Sequence, residues 1–429
     1  MISFHNLLTN KMVCLRVLFL FLFSVCGCQE PGRFNNELSS IQESNNSGNS
    51  LSGFLSDPFE LSKSYESQIE IFESIFHTST GYKFSLLTKE SSLRSFFNDL
   101  RNGHFVKTVD IDHSYIRKEY HTFTHALDVL ITTHTFLKSG AEVFLTESEQ
   151  IALLLAAFGH DVLHAGVNNS FLIETNHPFS SETNGGSVQE KRSAAFILGL
   201  FDKYEIFSIQ NGMSENEKIQ MSQARELVEK SILWTDIKKH KLLMSEVSNL
   251  KDKVLQILTQ LRNVSLDGKL NGAYPSDIDE GINISEQLQF EERIILASFF
   301  LHCADVSNPG KEWVQSERWA GLVMNEFFSQ GDLQKELGLK PSKNCDREVV
   351  SVPACQIGFG DYVIRDLYEL LENFLPQVGG TLLRNFNANQ LKWKEFLERE
   401  KKTGESYRIK FRPPTKEGGW IGSLRNDEN

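Results

Sequence analysis

The 429-residue chain is short of positive charge: 44 Lys and Arg stand against 56 Asp and Glu, a formal net charge of −12. Neutralising nucleic-acid phosphates takes a basic stripe, so no nucleic-acid partner is expected, and an anionic substrate would need a local cation. Cysteine is sparse as well. Cys14, Cys26, Cys28, Cys303, Cys345 and Cys355 fit neither a zinc ribbon, nor a CxxC redox pair, nor a disulfide framework. The apolar run in residues 17–25 is too short for a membrane span, which takes about 20 residues. Alternating strand patterns and internal repeats are also missing, which argues against sheet and solenoid folds.

What is present is helical periodicity. From about Pro58 onward, stretches such as "TESEQIALLLAAFGHDVLH", "FEERIILASFFLHCADV" and "GDYVIRDLYELLENFL" space apolar residues as helices do, and Thr146 with Glu149 forms a capping-box signature. Phe is abundant at 32 copies, useful for packing helices. The expectation is an all-α fold, one compact multi-helix domain over residues 58–429, with loops near 176–187, 264–284 and 338–352.

Residues 1–28 read differently. Lys11 and Arg16 precede the apolar run, and small residues follow it, the layout of a secretory signal. "VCGC" at 25–28 resembles a bacterial lipobox, which implies lipidation of Cys28 and an exported, membrane-associated protein; the alternative is an uncleaved N-terminal anchor. Residues 29–57, rich in Ser, Asn and Gly, read as a flexible tether. The first sixty residues are too short and polar for a core, so no fused sensor domain is expected. Nothing in the pattern specifies an oligomeric state.

Chemistry concentrates in histidine and aspartate. His121 and His125 are four apart, as are His160 and His164, a spacing that shares a helix face. Neither pair carries the Glu of HExxH, which excludes the zincin arrangement. The pair His160-Asp161 follows an apolar helix, and Asp305 follows Phe299, Phe300 and Leu301. A carboxylate buried there is costly unless paired or metal-bound. His125, His160, Asp161 and Asp305 together offer imidazole and carboxylate ligands suited to Zn or Mn, and Asp161 can be shared with an oxygen-rich, Mg-like second site.

These stretches resemble the catalytic domain of the class I 3',5'-cyclic nucleotide phosphodiesterases, a branch of the HD-type metal-dependent phosphohydrolases. The motif Tyr-His-x-x-x-His-x-x-Asp-Val appears as Tyr120, His121, His125, Asp128 and Val129, and His-Asp-x-x-His-x-Gly as His160, Asp161, His164 and Gly166. "HCADVSNP" and "CQIGFGDY" follow in the family's order. The resemblance implies hydrolysis of cyclic nucleotides to 5'-monophosphates by a metal-bridged hydroxide. His125, His160, Asp161 and Asp305 would hold two divalent ions, Zn at the tighter site and Mg or Mn at the second. His121 would be the general acid. His164, Glu190 and Asp236 would support the metals and their water. Tyr120, Val323, Gln356 and Phe359 would shape the nucleotide pocket, and Asn308 would complement adenine's amine and N7, favouring cAMP over cGMP.

Departures from the family pattern are Thr122 after the catalytic His, and Arg192 and Ser193 where the family carries histidines, which imply an altered environment at the second metal. Two other readings stand beside this one: an HD-type hydrolase of another phosphoester, which Gln356 with Phe359 opposes, and an inactive metal-bound nucleotide binder, which retention of His121 opposes.

Overall fold

Helix start signals in the sequence take the form expected of them. The Thr146 N–H donates to the Glu149 carboxylate at 2.9 Å, and the Glu149 N–H donates to Thr146 Oγ1 at 3.4 Å, a reciprocal cap. The computed structural model describes residues 57–78, 90–105, 110–111, 114–115, 118–184, 186–265 and 284–409. In chain order its helices are α1 (Pro58–Leu61), α2 (Tyr65–Thr78), α3 (Glu90–His104), α4 (Phe123–Lys138), α5 (Glu147–Gly159), α6 (Asn169–Glu174), α7 (Pro178–Glu182), α8 (Val188–Tyr204), α9 (Glu215–Trp234), α10 (His240–Ser265), α11 (Phe290–Asp305), α12 (Trp313–Glu336), α13 (Val352–Phe359), α14 (Arg365–Phe374) and α15 (Pro376–Thr403). All fall within one compact unit, Gly53–Asn429.

One strand pairing exists among the described residues. β1 (Asp110–Ile111) runs antiparallel to β2 (Ser114–Tyr115), a ladder too short to leave an alternating pattern in sequence. Residues 176–187, expected as a loop, contain the single-turn helix α7, whose first residue, Pro178, presets the helical φ. Residues 266–283, the leader 1–28 with Cys28, and the tether up to residue 56 lie outside the described residues. Among the described residues no helix is long and apolar enough to cross a membrane.

The centre of the fold is α5. Its residues 151–158 are all fully buried, as a helix without a polar face must be, and α4, α9 and α11 pack around it. Phenylalanines fill the space: Phe97 stacks on Phe158 with centroids 5.8 Å apart, and Phe72 and Phe123 approach Phe158 at 5.6 Å each. Arg293 Nε donates to both Glu149 oxygens at 2.9 Å and its Nη1 to the Leu288 carbonyl at 2.8 Å. That buried pair clamps the start of α5 to the start of α11, and such pairs fix geometry more than they add net stability.

Three helix ends then meet. At Gly159 the chain passes close to α8, where an added Cβ would lie 2.5 Å from Ile197 Cδ1 and would displace the end of that side chain. Beyond it the chain leaves the helix and passes through Leu163 at φ 62°, a conformation most L residues avoid. The end of α5, the beginning of α4 and the end of α11 carry the residues singled out by sequence.

Candidate active site

His125 sits in the first turn of α4, His160 caps α5, Asp161 follows it, and Asp305 ends α11. Helix packing brings one donor atom of each within 4.8 Å of the others. His125 Nε2 lies 3.0 Å from Asp305 Oδ1 and 3.5 Å from Asp161 Oδ2, while His160 Nε2 lies 3.2 Å from Asp161 Oδ2 and 3.3 Å from Asp305 Oδ1. Four ligands bound at roughly 2.0–2.1 Å around a tetrahedral ion stand about 3.3 Å apart, so the cluster has the dimensions of a coordination shell. His160 Nδ1 donates to the Ala157 carbonyl at 2.9 Å, which turns Nε2 toward the cluster. Neither His160 Nε2 nor Asp161 Oδ2 has a hydrogen-bond partner, and a cation would satisfy both. Burial disfavours charge on His160, yet Asp161 and Asp305 override it and raise its pKa well above the imidazole range. The cluster calls for positive charge, as proton or as metal.

The two four-residue histidine spacings do not work as helix faces. Thr122 is the extended N-cap of α4, without a side-chain cap bond, so His121 lies outside the helix that holds His125. α5 ends at Gly159, so His164 is not on the helix that leads to His160. The tertiary fold re-sorts the four: His125 joins His160 in the first cluster, and His121 joins His164 and Glu326 in a second. The His121 and His164 rings stack with centroids 3.8 Å apart.

Glu326, on α12, organises this second cluster. One carboxylate oxygen accepts the backbone N–H groups of Glu119, Tyr120 and His121 at 3.0, 2.9 and 3.2 Å, and the other contacts His121 Nδ1. Burial works against charge on both side chains, but each stabilises the other. The His121 pKa rises from 6.5 to about 9, and that of Glu326 falls from 4.5 to about 2. His164 is pushed down to about 3 by burial and by the neighbouring His121 charge, so a cationic and a neutral imidazole stack face to face.

Both clusters open on one cavity of about 330 Å³, lined also by Tyr120, Asn308, Val323, Gln356 and Phe359. Gln356 and Phe359 share α13, and a π-helical turn, Gly360–Ile364, follows it directly. The Gln390 amide donates to the Gln356 carbonyl at 3.2 Å there; such wide turns recur at functional sites. Tyr120 places its ring 4.5 Å from that of His125 and donates its hydroxyl to Asn308 Oδ1 at 2.5 Å.

Glu190 and Asp236 line the same cavity. Asn169 Nδ2 donates to both Glu190 oxygens at 3.2 and 2.9 Å, while burial and the Asp236 charge push the Glu190 pKa up to about 7. Ser187 donates to Asp236 at 2.7 Å. Where the resemblance would place histidines, Ser193 donates to the Val162 carbonyl at 2.7 Å and Arg192 to the Leu163 carbonyl at 3.4 Å, with the Arg192 guanidinium over the Phe179 ring. These two side chains brace the turn that carries His160, Asp161 and His164.

Sequence reasoning missed Glu326, Gln189 and Asn169. Gln189 ties that turn to α8: its Oε1 accepts the Ala165 N–H at 2.7 Å, and its Nε2 donates to the Val167 carbonyl at 2.6 Å and lies 2.7 Å from His164 Nε2. Glu326 was discoverable by the rule that picked out Asp305, since "LVMNEFF" sets a carboxylate among apolar residues. Gln189 and Asn169 carry no such signal.

Comparison with known proteins agrees with this geometry. Residues 120–385 match the family described as 3'5'-cyclic nucleotide phosphodiesterase. The chain is 29% identical over 317 residues to a probable 3',5'-cyclic-AMP phosphodiesterase, pde-4, of Caenorhabditis elegans, covering 73% of this chain and 43% of that protein. It is 32% identical over 279 residues to 3',5'-cyclic-AMP phosphodiesterase 4C of Rattus norvegicus, covering 65% and 47%. It therefore spans less than half the length of each of these relatives. The phosphodiesterase domain of the RhoPDE fusion protein from the choanoflagellate Salpingoeca rosetta shares the fold, with a TM-score of 0.64 at 23% identity over 84% of this chain and 99% of that one. With its motif-bearing segment matched from the first histidine motif through the glutamine-phenylalanine pair, the chain belongs to the metal-dependent 3'5'-cyclic nucleotide phosphodiesterase family.

Proposed function

We propose that this chain hydrolyses 3',5'-cyclic nucleotides, cAMP in preference to cGMP, to nucleoside 5'-monophosphates. The observation that carries this reading is the convergence of a four-ligand cluster and a protonated histidine on one cavity whose far side offers an amide and an aromatic ring. His125, His160, Asp161 and Asp305 would hold zinc, and Asp161 would extend to a second ion, magnesium or manganese. When bound, divalent cations stabilise charge on the phosphoryl oxygens and acidify water into a nucleophile near neutral pH. The chain's residues do the rest. His121, held as an imidazolium by Glu326, gives its proton to the departing 3'-oxygen, a group that leaves poorly as an alkoxide. Glu190 and Asp236 accept hydrogen bonds from water on the cavity's other flank, and His164, stacked on His121, fixes the plane of the acid. Phe359 and Val323 hold the purine between them while the Gln356 amide bonds its edge. The cAMP preference is supported by Asn308 in the cavity and by the printed names of the curated relatives.

The test is hydrolysis of cAMP and cGMP side by side by the purified full chain with Mg or Mn, before and after chelation. Turnover should fall to background with chelator, return with divalent ion, and favour cAMP. Cleavage of neither nucleotide by a metal-loaded chain would point instead to another phosphoester.

Export and lipid anchoring through Cys28 form part of the same proposal, supported by the lipobox-like "VCGC". Labelled palmitate should enter the wild-type chain and not Cys28→Ala; equal labelling of the two would remove Cys28 from the anchor.

A further inference from the structure

Among the described residues, Lys238 is the one lysine or arginine that lines the cavity, in company with the carboxylates of Asp161, Glu190, Asp236, Asp305 and Glu326. No step above uses it. It lies in the 3-10 helical turn Ile237–Lys239, directly after Asp236, whose Oδ1 accepts the Lys238 N–H at 3.0 Å. The side chain is exposed. Its ammonium reaches across to α6 and donates to the hydroxyl of Ser170, another exposed lining residue, at 3.2 Å. Ile237 beside it is 49% exposed, so this flank is a solvent end of the cavity. Lys191 and Lys239, close enough to feel each other's charge, are turned elsewhere: Lys239 Nζ donates to the Leu233 carbonyl at 2.7 Å, and Lys191 Nζ to the Thr183 carbonyl at 2.8 Å.

We propose that Lys238 recruits the anionic substrate: its ammonium meets the cyclic phosphate at the mouth of the cavity and passes it inward toward His121 and the four-ligand cluster. The need for such a group is electrostatic. A cyclic nucleotide is an anion, the chain carries a formal net charge of −12, and the carboxylates along the cavity add to the repulsion. A cleft focuses the field of the charges that line it, so a single cation at its mouth acts where the substrate passes first. The bond to Ser170 is easily exchanged, because a hydrogen bond from an ammonium to a phosphate oxygen is charge-assisted at both ends while a hydroxyl is a neutral acceptor. Lysine suits a passing contact. Its compact charge on a flexible stem follows the phosphate without fixing the orientation of the nucleotide. The 5'-monophosphate product has a second ionisable phosphate oxygen, so Lys238 should hold the product more tightly than the substrate.

This rests on the reading of the cavity as a cyclic nucleotide site, and the experiment separates the two. On the full chain with Mg, kcat and KM for cAMP are measured at ionic strengths from about 0.01 M to about 1 M, over which the screening length falls from about 30 Å to about 3 Å. Lys238→Met keeps the stem and removes the charge. At low salt its kcat/KM should fall roughly three- to tenfold, through KM with kcat kept, and at high salt the gap from wild type should close. Lys238→Glu should lose more at low salt, Lys238→Arg should keep the wild-type salt dependence, and inhibition by AMP should weaken in Lys238→Met. Lys402→Met, at the exposed end of α15, makes the same change in net charge away from the cavity and should match wild type throughout. A loss in Lys238→Met of equal size at low and high salt would make the side chain only structural, and an unchanged kcat/KM at low salt would remove it from substrate capture. Cleavage of neither nucleotide by wild type would overturn the function itself and this role with it.

Discussion

Asp305→Ala is expected to abolish cyclic nucleotide hydrolysis, with a loss larger than the ~10^2 to 10^4-fold that removing a general acid produces. Asp305 Oδ1 stands 3.0 Å from His125 Nε2 and 3.3 Å from His160 Nε2, so its removal takes one corner from the cluster and half of the negative charge that draws a cation there. Asp161 alone then faces two imidazoles. Metal content measured on the purified variant should fall by at least one equivalent, and added Mg or Mn should not restore turnover. The fold should persist, because Asp305 is the last residue of α11 and the buried apolar residues before it remain. A useful comparison is Asp332→Ala, whose carboxylate pairs with Arg347 on an exposed surface and should behave as wild type. Activity of Asp305→Ala within about tenfold of wild type would remove this cluster from the reaction.

Loss of the acid should give a second large effect, with a pH signature. His121→Ala should lower kcat by ~10^2 to 10^4-fold while leaving metal content unchanged. Glu326→Gln tests how the proton is held. Glu326 outweighs burial and raises the His121 pKa above the ordinary imidazole value of 6.5, so the acid is present around neutral pH and activity is lost on the alkaline side as the imidazolium titrates. Cations in the neighbouring cluster oppose the imidazolium, and Glu326 sustains it. With that carboxylate neutralised, burial drives the pKa down, the alkaline limb of the rate profile moves to lower pH, and the rate at pH 8 falls more than the rate at pH 6. The same linkage acts on stability. The His121 contribution is complete below pH 6.5 and is lost as pH rises through about 9, while the Glu326 contribution is complete above 4.5 and lost as pH falls through about 2. A Glu326→Gln profile that drops evenly at all pH values would assign Glu326 to backbone positioning alone.

Much of this protein was legible in its sequence. Apolar periodicity, the Thr146 cap and the absence of strand alternation determined a helical fold, because those signals act within a turn or two of chain. The four candidate ligands were legible too, since a carboxylate such as Asp305 behind a buried apolar helix has few affordable fates other than a partner or a metal. Tertiary structure decided how the histidines are grouped. Spacing by four placed His121 with His125 and His160 with His164, but α4 begins after His121 and α5 ends before His160, so helix geometry governs neither pair. Packing of the three helix ends put His125 with His160 and set His121 against His164 and Glu326, which is 205 residues away in the chain. The charge on His121 was settled there as well. It depends on which carboxylate lies within hydrogen-bond reach, and distance in space, unlike periodicity, is not written in local sequence.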